Sequence, residues 1–253
     1  MALIPVFDVM ETAADALARI GSGKAINALT KALQHENSSI RLKALVALIN
    51  ISTNKVINDE AVDILIALIH ALQDRNSAIS EEAKNAVISC LEALIKSGNE
   101  NAVDAITPLL QHEDQEISIS AASALGQIGN DEAIDTLIQA LQNQNYSERW
   151  RVIKALGRQI GNDKAINALV KALQCEDSSN KGISDVVEAL GQIGNLTCLE
   201  KLLQSEDPRL VYRPDVFSLT RSLAIRFSKS GSPCIPVYPE LLPTHATIDG
   251  AEG

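Results

Sequence analysis

Apolar residues recur along most of this chain at the three- and four-residue spacing of helices that bury one side. In residues 132–142, EAIDTLIQALQ, the positions Ile134, Leu137, Ile138 and Leu141 follow i, i+3, i+4, i+7. The same phrase returns as KAINALTKALQ (24–34), EAVDILIALIHALQ (60–73), NAVDAITPLLQ (101–111), KAINALVKALQ (164–174) and, more weakly, TCLEKLLQ (197–204). Their closing glutamines, Gln34, Gln73, Gln111, Gln142, Gln174 and Gln204, are separated by 39, 38, 31, 32 and 30 residues. A unit of roughly thirty residues is therefore repeated, and repetition at that period signals an array of supersecondary units.

A second apolar stretch lies between these phrases and closes as ALARIG (16–21), ALIKSG (93–98), ALGQIG (124–129), ALGRQIG (155–161) and ALGQIG (189–194), with ALINIS (47–52) as the divergent case. Each unit thus predicts two helices. Gly129 and Gly161 are placed to end one helix in the left-handed conformation, and Asp131 and Asp163 to cap the next. A lone helical hairpin cannot bury its stripe, so neighbours must stack on a shared core. The expected fold is all-α, an α-α superhelix or solenoid of about six two-helix repeats. Alanine runs such as Ala121, Ala122 and Ala124 mark the packed side of second helices; by analogy with known solenoids, the first helices are expected on the convex face and the second on the concave one.

The array is expected over 1–207, beginning mid-repeat, and a distinct segment over 208–253. Six of the eight prolines fall between Pro208 and Pro243. The first half of this segment predicts a capping helix, with Asp215 near its start and Leu219, Leu223 and Phe227 at helical spacing. Its second half is extended because of Pro233, Pro236 and Pro239.

The phrase ALGQIGNDEAIDTLIQALQ (124–142) resembles the HEAT-like repeats of the cyanobacterial phycobilisome-lyase class, over roughly residues 11–205. The family's paired valine and arginine at the start of the second helix are matched by Ile40 and Arg41, by Ile117 and Ser118 without the arginine, and by Glu148 and Arg149 without the valine. Its loop acid is matched by Asp114 and Asp177 and replaced by Asn37 and Asn145, and where the arginine and the loop acid are both missing the hydrogen bonds that tie one repeat to the next are expected to be lost. The terminal phrases YRPD, RFS and IPVYPE resemble the carboxyl end of NACHT-type ATPases that carry such arrays. Two functions are implied by these resemblances. One is a non-catalytic scaffold or sensor array binding a protein on its concave face; the alternative is a subunit or helper of phycobilin lyase, or of phycobilisome assembly or degradation, meeting a bilin or phycobiliprotein.

Composition narrows the partners. With 46% hydrophobic but only 3% aromatic residues, the core is built from Ala, Leu, Ile and Val. A formal charge of -10 repels phosphate backbones and anionic membranes, so neither nucleic acid nor a membrane is the expected partner. The four cysteines, Cys90, Cys175, Cys198 and Cys234, have no framework or CxxC spacing and read as reduced structural thiols in a cytoplasmic protein. The GSGK at 21–24 is no phosphate loop, for it lacks the spacing and follows a helix.

Two stretches carry candidate chemistry. QHEN (34–37) and QHED (111–114) repeat a His-Glu pair whose donor atoms suit a metal. The corresponding positions elsewhere hold Asp74-Arg75, Asn143-Gln144, Cys175-Glu176 and Ser205-Glu206, so the histidine slot varies as a ligand slot would not. Deoxyhypusine hydroxylase, which resembles the chain in repeat shape, uses four such pairs at the starts of second helices, and only two occur here, in loops. No metal, cofactor or catalytic residue is therefore expected, and His70 is expected to pack within its apolar helix. The second stretch is ERWR (148–151). Trp150, the only tryptophan, falls in the slot of Leu42 and Ile119, and Arg149, Arg151, Lys154 and Arg158 accumulate beside it in an otherwise acidic chain. Tryptophan and arginine anchor interfaces, and a cationic aromatic patch could also hold a propionate-bearing tetrapyrrole. These five residues, with Gln127 and Gln192 on the inner face, are the candidate partner-binding residues; Asp185 and Glu188 share that face.

Overall fold

A computed structural model describes residues 6–54, 60–143, 149–173, 180–194, 200–202 and 214–229. Among them there is no strand, and the chain runs as α1 (Val6–Ile20), α2 (Gly23–Ala32), α3 (Ser38–Asn54), α4 (Glu60–Leu72) and α5 (Ser77–Ser97). A short α6 (Val103–Ile106) flanked by 3₁₀ turns follows, then α7 (Gln115–Ile128), α8 (Asp131–Asn143), α9 (Arg149–Leu156), α10 (Asp163–Leu173), α11 (Asn180–Ile193) and a last helix, α12 (Pro214–Lys229). The described residues are all-α and run as successive helix pairs, as the repeated apolar spacing predicts.

The residues divide into two compact units, 1–136 and 137–253, with the division inside α8. In the first unit the second helices pack in sequence, α3 on α5 and α5 on α7, while α2, α4 and α6 form the other layer. In the second unit α9 packs on α11, and α11 on α12. Both cores are aliphatic: Leu45, Leu48, Leu65, Leu68, Leu91 and Leu94 are shielded from solvent in the first unit, and Val152, Leu156, Ile166, Leu169 and Leu190 in the second. Ile134, Leu137 and Leu141 on α8 are buried and Ile138 flanks them half-exposed. Ala121, Ala122 and Ala124 are buried on α7. Cys90 is core, and burial pushes its thiol up to about 12. Cys175, Cys198 and Cys234 lie outside the described residues, as do His245, Asn145, Asp177 and the extended half of the tail.

Three local expectations are corrected. Gly129 ends α7 as foreseen, at φ 61°, whereas Gly161, though left-handed at φ 82°, stands in the turn beyond α9, which already ends at Leu156. The caps that follow, however, are Asn130 and Asn162, whose side chains accept from the N–H of Ala133 and Ala165 at 2.9 and 3.1 Å. A cap must stand just before the first helical residue, so Asp131 and Asp163, inside the first turn, act on the helix dipole instead. Second, the helix expected over 101–111 is broken into short pieces. Pro108 has no N–H to donate and its ring collides with the carbonyl one turn back, so the last five residues tighten into a 3₁₀ turn, Thr107–Gln111. Third, His70 is exposed rather than packed; its helix turns Ile64, Leu65 and Leu68 inward instead.

α12 starts at a proline, where no helical N–H is lost, and buries Val216, Thr220 and Leu223. Leu219 is half-exposed and the Phe227 side chain is outside the described residues. Among the described residues no helix is long and apolar enough to cross a membrane.

Candidate functional site

The two His-Glu pairs have the same local geometry. The Nδ1 atom of His35 accepts from the N–H of Asn37 at 3.0 Å, and that of His112 from the N–H of Asp114 at 3.1 Å. Asp74, in the same slot one repeat on, accepts from the N–H of Asn76 through Oδ1 at 2.8 Å. The slot requires an acceptor two residues before the helix cap, which either histidine or aspartate supplies. Such an acceptor ties the backbone into the turn that the next helix starts from. His35 and His112 line separate grooves, of about 630 and 790 Å³. Among the described residues no group of three or more His, Cys, Asp or Glu is gathered as a metal would need.

These loops carry a ladder between repeats of the first unit. Arg41 donates to both carboxylate oxygens of Asp74, at 2.6 and 2.9 Å, and to the carbonyls of His35 and Glu36 at 2.9 and 2.8 Å. One guanidinium thus joins the loop of its own repeat to the loop of the next, with the planar fork matching the carboxylate. In the following repeat the arginine slot holds Ser80, whose hydroxyl donates to the Leu72 carbonyl at 2.7 Å. The cationic role passes one helical turn on, to Lys84, which meets Asp114 at 2.9 Å and Glu116 at 3.1 Å. The Arg41 hydrogen bonds hold Asp74 below the usual carboxylate value, against the opposing effect of burial. At Asp114 burial is the largest single influence and pushes upward, but Lys84 and the N–H groups of Ile117 and Glu116 outweigh it, and the net shift is downward. In the first unit, the repeat with Asn37 for the loop acid and the repeat with Ser80 for the arginine are therefore each tied to the next, through Arg41 and Lys84.

ERWR is arranged differently from what its spacing suggests. α9 ends at Leu156, so Arg158 stands in the turn that follows and does not share a face with the others. The extra residue of ALGRQIG breaks the last helical turn: it buries Gln159 and leaves Ile160 76% exposed. Arg151 is only 6% exposed and belongs to the interior side of α9. Arg149 is half-buried, with its Nε shielded from solvent and unpartnered among the described residues. What remains on the open face is Trp150 and, one turn on, Lys154.

Across from them, α11 presents Asp185, Glu188 and Gln192 from consecutive turns. Trp150, Lys154, Asp185, Glu188, Ala189 and Gln192 together line a cleft of about 230 Å³. Two features set its geometry. Gly157, just past the end of α9, permits close approach to α11, for a side-chain carbon there would fall 2.7 Å from the Ala189 methyl and 2.8 Å from its Cα. The amide of Gln192 donates to Glu188 Oε1 at 3.3 Å, which steadies the carboxylate along the helix. The cleft joins three of the candidate residues, Trp150, Lys154 and Gln192, and adds Asp185 and Glu188; it leaves out Arg149, Arg151 and Arg158. Gln127, at the position in α7 that Gln192 holds in α11, is exposed in the first unit and donates to Ser123 at 3.3 Å. Gly157 and Ala189 gave no signal of their own in the sequence beyond the repeated Ala-Leu-Gly phrase, because close approach is a property of two helices together.

The slot that Trp150 fills is a surface slot elsewhere: Leu42 and Ile119 are 39% and 37% exposed. A large aromatic there lies at the mouth of a cleft, available to a ligand.

Comparison with known proteins agrees with this architecture. A family model described as HEAT repeats matches residues 6–83, 76–149 and 134–213. Among solved structures, human deoxyhypusine hydroxylase in complex with glycerol is 22% identical, with 88% of this chain and 80% of that one covered at a TM-score of 0.40. A computationally designed armadillo repeat protein for modular peptide recognition is 19% identical, covering 79% and 97% at 0.39. An engineered protein from a structural genomics programme is 22% identical, covering 78% and 98% at 0.37. None of the curated proteins matches the chain. With three overlapping matches running from residue 6 to residue 213, the chain belongs to the HEAT-repeat family.

Proposed function

We propose that this chain is a non-catalytic interaction scaffold that holds a segment of a protein partner against its second helices. The observation that carries the reading is the cleft between α9 and α11, where the sole tryptophan lies partly exposed among charged side chains rather than in the core. Aromatic residues so placed dominate interface energetics, because a large surface is desolvated at little cost in conformational freedom. The charged groups around it contribute register and selectivity more than affinity.

Attachment to a NACHT-type signalling ATPase as its sensor array, in a cytoplasmic setting, is the form of scaffold that the terminal phrases YRPD, RFS and IPVYPE favour. The phycobilin-lyase alternative is tested by incubating the chain with a bilin and a phycobiliprotein subunit, and no visible absorbance shift is expected. The scaffold itself is tested by affinity capture from cell lysate with the wild type and a Trp150→Ala variant. The expected result is loss of specific partners with the melting temperature nearly unchanged. Recovery of the same proteins by both would defeat the reading, as would a large drop in stability that placed Trp150 in the core.

A further inference from the structure

We infer that the α9–α11 cleft seats a lysine or arginine side chain of the partner, with the indole of Trp150 and the carboxylates of Asp185 and Glu188 as its receptors. This rests on the scaffold reading and names the chemistry of the partner. In the sequence, Trp150 stands among arginines and suggests an anion site. The folded cleft has the opposite sign, because Arg149, Arg151 and Arg158 do not line it. Among the described lining residues, two carboxylates stand against the ammonium of Lys154, a formal charge of −1, within a chain whose own charge is -10.

The remaining lining fits the other half of a basic side chain. Trp150 and Ala189 offer apolar surface to an aliphatic stem, while Asp185, Glu188 and Gln192 offer acceptors to its head. A cation over an indole gains from the ring's negative face in addition to the carboxylates. Volume points the same way. At about 230 Å³ the cleft is smaller than the ~300–1,000 Å³ sites that enclose drug-sized ligands, and suits one inserted side chain better than a cofactor. Lys154 lines the same cleft, so its like charge opposes the ligand and limits affinity.

The test uses the intact chain and a fluorescein-labelled nonapeptide of alternating lysine and glycine, with its glutamate-glycine counterpart, followed by fluorescence anisotropy. The lysine peptide should bind and the glutamate peptide should not. Trp150→Ala and Glu188→Gln should each weaken binding by roughly threefold to tenfold. Lys154→Gln should strengthen it by about twofold to fivefold. Glu132→Gln, which removes an exposed carboxylate from α8, is the control for overall charge and should change nothing. If Trp150→Ala fails to fold, Trp150→Phe and Glu188→Gln carry the test. Tighter binding of the glutamate peptide, weaker binding by Lys154→Gln, or a Glu188→Gln effect no larger than that of Glu132→Gln overturns the inference. Lysate capture that depends on Trp150 alongside any of those results overturns this inference alone and leaves the scaffold standing. Capture that does not depend on Trp150 removes the scaffold reading itself.

Discussion

The loop edge of the first unit and the second-helix face of the second unit use the same residue types to different ends. At the loop edge charges pair between repeats: Arg41 meets Asp74 through both oxygens while holding two carbonyls of its own loop, and Lys84 bridges Asp114 and Glu116. In the α9–α11 cleft a tryptophan, an ammonium and two carboxylates face an open space of about 230 Å³. Charge already consumed by hydrogen bonds between repeats has little left to offer a ligand, whereas charge arranged around a void beside an aromatic ring does. The teaching is that an abundance of Arg or His in a repeat marks function only when the fold leaves their hydrogen-bonding groups unspent. His35, His112 and Arg41 also line grooves, but they hold their own and neighbouring loops through hydrogen bonds, whereas Trp150, Asp185 and Glu188 are gathered around the cleft.

The contrast is broken most sharply at Arg151, which the sequence groups with the binding residues and the structure buries. Arg151→Ala should destabilise the chain by about 2–3 kcal/mol, through lost packing of its stem and lost polar partners. Lys154→Ala, on the exposed face three residues later, should leave urea unfolding nearly unchanged. Equal effects at the two positions would mean that α9 does not distinguish an inner from an outer face. Gly157→Ala comes next, at about 1–3 kcal/mol, since its new methyl would drive α9 and α11 apart at Ala189. It should also weaken lysine-peptide binding, because α11 carries Asp185 and Glu188; unchanged affinity would show that the cleft does not depend on this close approach.

The smallest effect is expected at the loop edge, and it should depend on pH. The Asp74 carboxyl is held below its usual value of 3.8 in the folded chain, so its contribution is fully present above that value and fades as pH falls through the depressed one. Arg41→Ala should therefore lower the urea midpoint at about pH 6, and its difference from wild type should shrink as pH falls from 3.8 through the depressed Asp74 value. A difference that stayed constant across that range would take the ion pair out of the stability of the ladder.

Much of the fold was legible in the sequence because helix and repeat are local or quasi-periodic properties. The helical spacing of Ile134, Leu137 and Leu141 and the glycine at 129 state their roles within a few residues. Errors arose where one residue's role depended on a competing neighbour. Asn130 took the cap from Asp131 by standing one position earlier, Pro108 broke a helix whose apolar spacing was intact, and one extra residue in ALGRQIG displaced Arg158 from α9.

Of the cleft's lining, Trp150, Lys154 and Gln192 stood among the sequence's candidate residues, but the run of arginines around Trp150 gave no sign of the carboxylates beside it. The reason is geometric. Residues 149–158 look cationic when read along the chain, yet which of them face outward depends on how α9 rotates against its neighbours, and the carboxylates opposite arrive from about thirty-five residues away on α11. By itself the sequence determined the two-helix repeat, the aliphatic core and the loop slots, since these follow from periodic burial and local hydrogen bonding. Only the tertiary structure decided which charges are consumed between repeats and which line the cleft, because pairing and exposure depend on the packing of helices that are distant in sequence.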